Sequence, residues 1–506
     1  MTGMPTLALL AATPRTATFS LDAAENHFAL TTAKTWRLDD AAGERVAEGQ
    51  TDRVVTTLHG LLPGQTYRLE VAGARLGFTT AAESALIDIT DCGASPTADD
   101  NAAAIQAAID RLPPQGTLKI PRGRFQSGPI FLKSDMTLLL EDGAVLSGHP
   151  DRARYPVLAA RHADHRVLGT WEGVAEPCFA SLVTALDCTG LTITGAGTID
   201  GGGDRGDWWS WPKETRYGAR RPRTLFLSHG QNVRLTGITV RNSPSWTIHP
   251  VFCSDVLAAD LVIENDPLSP NTDGLNPECS RDVRLSGLSF SVGDDCIAIK
   301  AGKRDPKGGL DQPCERIVVE NCRMQRGHGG IVIGSEMSGS VRDVTVRRCE
   351  LRETDRGLRV KTRRGRGGRV ERIALEGCVM DRVATPLVIN SFYFCDADGR
   401  SDYVQSREPL PVTDATPVVT DITIRDVVAE NVAVAAAAFY GLPEAPITGI
   451  TIENYRVGFD PEAQADVPDM ACGFAPLRHA EIILEHASLT RPAGLHLSRP
   501  TQSIAV

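Results

Sequence analysis

Residues 233–238 read VRLTGI and residues 283–288 read VRLSGL, one unit twice, with apolar residues at i, i+2 and i+5. The same unit recurs as LTITGA (191–196), VLAADL (256–261), IVVENC (317–322), VTVRRC (344–349), IALEGC (373–378), ITIRDV (422–427) and ITIENY (450–455). A further copy is read in IILEHA (482–487). Successive starts are 42, 23, 27, 34, 27, 29, 49, 28 and 32 residues apart. A strand-like unit at this period signals a solenoid and predicts an all-β fold, a right-handed parallel β-helix. Positions i and i+2 face the interior, so Cys322, Cys349 and Cys378 are expected to stack as an internal ladder. The long gaps from 191 to 233 and from 373 to 422 read as insertions gathered on one face.

Outward from the repeat, Ile105, Ala108, Ile109 and Leu112 mark one face of a helix over about 100–112. Asp99, Asp100 and Asn101 offer caps and Pro113–Pro114 a stop. Its apolar face is expected to close the N-terminal end of the solenoid. Residues 1–82 instead alternate in short runs such as TATFSLD (16–22) and TYRLEVAG (66–73), a small β-sandwich. LLPGQTYRLEV (61–71) is similar to the tyrosine corner of a fibronectin type III-like domain. The division is therefore 1–82 for the sandwich and 83–506 for the β-helix.

Composition narrows the function. In 506 residues, 42% hydrophobic and 23% charged, the formal net charge is −10, which argues against a nucleic-acid partner. No apolar run is long enough for a membrane span. The 12 cysteines form no CxxC pair, so most read as small buried hydrophobes. The first residues lack a basic stretch ahead of their apolar patch, from which a cytoplasmic location is expected. GAGTIDGGG (195–203) has GxG without a following helix and is no dinucleotide site.

Polar clusters follow the apolar units in consecutive coils: NTDG (271–274), GDD (293–295), RGHGG (326–330) and RGLRVK (356–361). Each alone is more often a turn or a solvated edge. Measured from its coil's start, Asp273 lies 17 residues on, Asp294 and His328 11, and Arg359 15. The common phase places carboxylates, an imidazole and a basic pair in one groove. Three crowded carboxyls split their pKa values, which suits acid/base work. The run RVKTRRGRGGRVER (359–372) reads as a focused positive patch suited to a polyanionic sugar.

NTDG, GDD, GHG and RVK, in this order, resemble the four signature motifs of the polygalacturonases, glycoside hydrolase family 28. DITDCGASPTADDNAAAIQAAID (88–110) resembles the capping segment of that family, and SPSWTIHP (243–250) with the fused sandwich its bacterial exo-acting branch. The resemblance implies hydrolysis of α-1,4-linked galacturonate from the non-reducing end with inversion. Asp294 would be the general acid, with Asp273 and Asp295 activating water and His328 tuning the acid. An inverting pair is expected about 6.5–9.5 Å apart. Arg359 and Lys361 would hold a substrate carboxylate, with Asn271, Lys300, Lys303, Trp246 and Tyr393 as further substrate-binding positions. Trp208, Trp209 and Trp211 are candidates to wall one end of the groove. No metal or other cofactor is implied, and the expected partner is an oligogalacturonide or pectic polysaccharide. Competing readings are a hydrolase of rhamnogalacturonan or xylogalacturonan, a Ca²⁺-dependent pectate lyase, and a sugar-binding solenoid without catalysis.

Overall fold

A left-handed residue turns the chain after each short strand. In the nine repeats from 191 to 450 the residue at i+4 has φ between 52° and 127°: Gly195, Gly237, Asp260, Gly287, Asn321, Arg348, Gly377, Asp426 and Asn454. The residue just before each unit is left-handed too, Asn232, Asp255 and Asp282 among them. Gly, Asn and Asp tolerate this region best, which explains why they crowd these corners. Between the corners, i and i+2 point inwards, and i+5 re-enters the core after the turn. Val233, Leu235 and Ile238 are accordingly buried.

The computed structural model describes residues 5–22, 26–306 and 308–498 and is a parallel β-helix behind a small sandwich. Leu191 pairs with Val233, Val233 with Val256, Val256 with Val283, and Val283 with Ile317. Ile317 pairs with Val344, Val344 with Ile373, Ile373 with Ile422, and Ile422 with Ile450. Every one of these pairs joins two residues at the start of the repeat. The last copy is a correction. Ile450 pairs with Leu489, while Ala480–Glu485 belongs to another sheet, so IILEHA is not a tenth unit. Two earlier coils carry Gly116–Ile120 and Met136–Leu140. They lack the apolar i+5 residue, having Pro121 and Glu141 there, and so escape the pattern.

Cys322, Cys349 and Cys378 are buried in successive coils, with the Cys349 amide donating to Cys378 Sγ at 3.4 Å. All twelve cysteines are free thiols. The helix Ala102–Arg111 buries Ile105, Ala108 and Ile109 against the first coils. Its Gln106 side chain donates to Phe131 O and accepts from Phe131 N, satisfying the open edge of the end strand Ile130–Leu132. The first helical amide, that of Ala102, is taken by Asp100 rather than by Asn101. No described helix is long and apolar enough to cross a membrane.

The sandwich packs a three-stranded antiparallel sheet on a four-stranded one within residues 6–79. The Tyr67 hydroxyl accepts from the Leu62 amide at 3.0 Å. Docking follows the i+4 corners. Asp260 accepts from Thr57 N and pairs with Arg53 at 2.8 Å, Asn321 donates to His27 O, and Arg348 pairs with Asp22. At Gly287 a Cβ would lie 2.3 Å from Val55 Cβ.

Gly287 and Gly377 share the left-handed corner, but a Cβ at Gly377 meets only Arg348 Cγ at 3.8 Å. Gly377→Ala is therefore expected to cost the corner strain alone, about 1 kcal/mol. Gly287→Ala adds overpacking of about 1–3 kcal/mol and loosens the docked sandwich. Calorimetric melting with limited proteolysis checks this; equal melting temperatures and equal cleavage rates for the two variants would refute it.

Candidate active site

One face of the solenoid is built in two parts. A four-stranded sheet ends with Ile248–Val251, and a six-stranded sheet begins with Asp295–Ile299. Between them the 271–279 stretch keeps only isolated bridges, Leu275 linking Ile248 to Ile297. Asn271 and Cys279 are left-handed and break the strand on either side. The register places Asp273 beside Asp295, because Gly274 N donates to Asp295 O. Asp295 in turn pairs with Gly329. A side chain at Gly329 would come within 3.2 Å of Asp295 Oδ1, so glycine keeps space around that carboxylate.

A cavity of about 720 Å³ opens on this face, lined by Asn271, Asp273, Asp294, Asp295, Lys300 and His328, with Arg359, Lys361, Trp246 and Tyr393. These sequence-nominated positions converge. Oxygens of Asp273, Asp294 and Asp295 lie within 4.8 Å of one another. That is closer than the expected 6.5–9.5 Å, so the usual spacing of an inverting pair is not met. Asp273 and Asp295 are buried and Asp294 is half-buried, so Asp294 presents itself to the cavity.

Environment separates the three acids. Burial, then the neighbouring Asp294, pushes Asp273 well above the carboxylate range. Burial, then Asp295, raises Asp294. Burial would raise Asp295 as well, but Lys361 at 2.6 Å and Arg359 at 3.6 Å outweigh it and hold it low. Asp295 Oδ1 accepts no hydrogen bond from the described residues. His328 Nδ1 lies 2.8 Å from Asp355 Oδ2. That bond outweighs desolvation and, with the nearby Asp294 and Asp295 charges, lifts the imidazole to about 9, so it is cationic at neutral pH.

Several nominated residues hold partners that the sequence did not show. Arg359 donates to Asp469 at 2.5 Å and Lys361 to Asp295, while both line the cavity. Lys300 bonds Glu336 at 2.8 Å, lies 4.0 Å from Asp273, and sits 4.6 Å over the Trp246 ring. Trp246 is itself stacked on Trp171. Lys303 is outside the lining and holds Asp396 at 2.7 Å. Trp208 and Trp211 are not a groove wall: with Tyr155 and Phe179 they form a buried cluster anchoring the insertion. The positive patch at 359–372 is also corrected. Arg363, Arg364 and Arg366 are buried and paired with Asp396 and Asp398 of one loop and Glu444 of another, as internal counter-charges.

Asp355, Glu336, Asp469, Glu172 and Arg400 were not nominated, yet all except Asp469 line the cavity, and Asp469 secures Arg359 from behind. Asp355 had a signal. It lies 11 residues from the start at 344, the phase shared by Asp294 and His328. The others come from insertions or from beyond the ladder strands, where periodicity carries no information.

A family model described as glycosyl hydrolases family 28 matches residues 117–469. A probable polygalacturonase of Vitis vinifera is 31% identical over 409 residues, covering 78% of this chain and 79% of that one. An exopolygalacturonase structure from Thermotoga maritima, 27% identical, superposes with a TM-score of 0.65 over 81% of this chain and 91% of that one. A family 28 exopolygalacturonase structure from Yersinia enterocolitica, 20% identical, shares the fold over 98% of both chains, with a TM-score of 0.68. With its cluster of unequal carboxyls set in a parallel β-helix, this chain belongs to glycosyl hydrolases family 28.

Proposed function

We propose that this glycoside hydrolase removes galacturonate units from the non-reducing end of oligogalacturonides. The observation that carries the chemistry is the split titration of three adjacent carboxyls in one cavity. Asp294, raised and facing the cavity, is the proton donor to the glycosidic oxygen. His328, cationic and close by, favours the ionised form of Asp294 and so makes it a stronger acid. Asp295, kept ionised by Lys361 and Arg359, takes a proton from water through its free Oδ1. Asp273, fixed by Asn276 at 2.7 Å, orients that water from the neighbouring coil. Inversion rests on family membership and not on the carboxyl spacing.

Exo action is supported by the walls. Glu172 and Lys213 enter from the stretches before and within the first long insertion, Tyr393 and Arg400 from the second, and Met470 from the segment before the last coil. Walls on several sides favour a chain end over a through-running polymer. The elimination reading fits less well. Ca²⁺ requires six to eight oxygen ligands, whereas the Lys361 ammonium already sits on Asp295 and Lys300 lies 4.0 Å from Asp273.

A defined oligogalacturonide ladder is expected to yield monomer from the start, with inverted anomeric configuration by NMR and no effect of chelator. Early mixed oligomers would refute exo action, and an unsaturated product would refute hydrolysis. Asp294→Asn is expected to lower kcat about 10²–10⁴-fold while oligomer binding persists; undiminished turnover would overturn its role. In Asp355→Asn the His328 titration, followed by imidazole NMR, should fall from about 9 towards the ordinary ~6.5. The variant would then keep more of the wild-type rate at pH 5.5 than at pH 8. A titration left near 9 would sink that assignment.

A further inference from the structure

We propose that Arg400 is a ligand for a substrate carboxylate in this cavity and adds to its preference for uronate over neutral or esterified sugars. The inference deepens the galacturonate reading above and rests on it. It begins from the commitments of the other cations. Arg359, Lys361 and Lys300 are buried and hold Asp469, Asp295 and Glu336. Arg356 donates to the carbonyls of Val467 and Pro468, and Lys213 lies 3.6 Å from Glu172.

Arg400 differs from all of these. It lines the cavity, is exposed, and has no carboxylate partner among the described residues. Its guanidinium carbon lies 4.0 Å from the centroid of the Phe394 ring, which also lines the cavity. An arginine packed on an aromatic face keeps its N–H edge available, and that edge matches a carboxylate in bidentate fashion. The loop that presents it is braced. Asp396 takes bonds from Lys303, Arg363 and Arg366 at 2.6–2.9 Å, and Asp398 takes two from Arg363. Gly399 N and Ser401 N close turns onto Asp396 O and Asp398 O on either side of Arg400. A pre-ordered loop loses little freedom when the ligand arrives. The cluster at 363–366, unsuited as a surface patch, thus fixes a loop whose remaining cation meets the substrate.

The test compares wild type, Arg400→Ala and Arg400→Lys on trigalacturonate and on its methyl ester. On the acid, Arg400→Ala is expected to raise KM about 10–100-fold with kcat within a few-fold. On the ester it should leave KM unchanged, with inhibition constants used if the ester is not turned over. Arg400→Lys should recover part of the loss. An unchanged KM on the acid, or equal losses on acid and ester, overturns the proposal while leaving the galacturonate reading intact. Melting temperature controls for folding. Calorimetric titration with galacturonate separates the two failures. A wild type that binds galacturonate through Arg400 but hydrolyses no oligomer refutes only the proposed reaction. A wild type that binds none refutes both.

Discussion

In-register stacking governs this molecule. Coils follow one another about every 4.8 Å, so each side chain sits beside its counterpart in the next coil. Inside, the result is a column of like on like: aliphatic residues for most of its length and three cysteines in a row. Outside, like on like would place equal charges in contact, and neighbouring coils alternate sign instead. Glu320 lies between Arg284 and Arg347, Glu350 pairs with Arg323, and Asp282 pairs with Arg316. The active-site stack Asp294, His328, Asp355 obeys the same alternation. Asp273 beside Asp294 and Asp295 breaks it, and there the field is strong enough to force the carboxyls into different protonation states.

The core and most of the site were legible because both follow from stacking. A unit defined by three apolar positions located eight inter-coil pairings to the residue, and counting from its start brought Asp294 and His328 into contact distance of the right neighbours. Legibility stopped where stacking stops. The first coils bury their faces without the i+5 residue, and the last lies beyond an excursion that moves its start from 482 to 489. Arg359 and Lys361 were placed correctly, but their partners Asp469 and Asp295 are set by tertiary geometry. A run of arginines looks the same in sequence whether it faces solvent or, as at 363–366, lies buried against the carboxylates of Asp396 and Glu444.

Function divides accordingly. The ladder supplies the reacting groups, whose positions are fixed to within the pleat of a strand. The insertions supply the enclosure, and their freedom from the ladder lets them differ in length and sequence while the chemistry beneath stays constant. Such loops need staples, provided by buried ion pairs that join them to the turn that directly follows the strand Arg356–Lys361. Breaking one partner of a buried pair leaves an uncompensated charge and is costly. Enclosure and catalysis are thus tied to the same strand.

The row of left-handed corners has a consequence for the length of the solenoid. From Thr16 on Thr194 to Phe28 on Glu350, the sandwich grips six successive coils, one after another, at or beside those corners. It acts as a splint of fixed gauge, about 24 Å long at the coil spacing. A whole coil added or lost within 191–350 would put every later grip out of step with its partner. The coils bearing Asp273, Asp294, Asp295 and His328 lie inside the splinted section. Growth of this solenoid is therefore confined to the coils outside 191–350 and to its loops, leaving the number of coils around the reacting groups fixed.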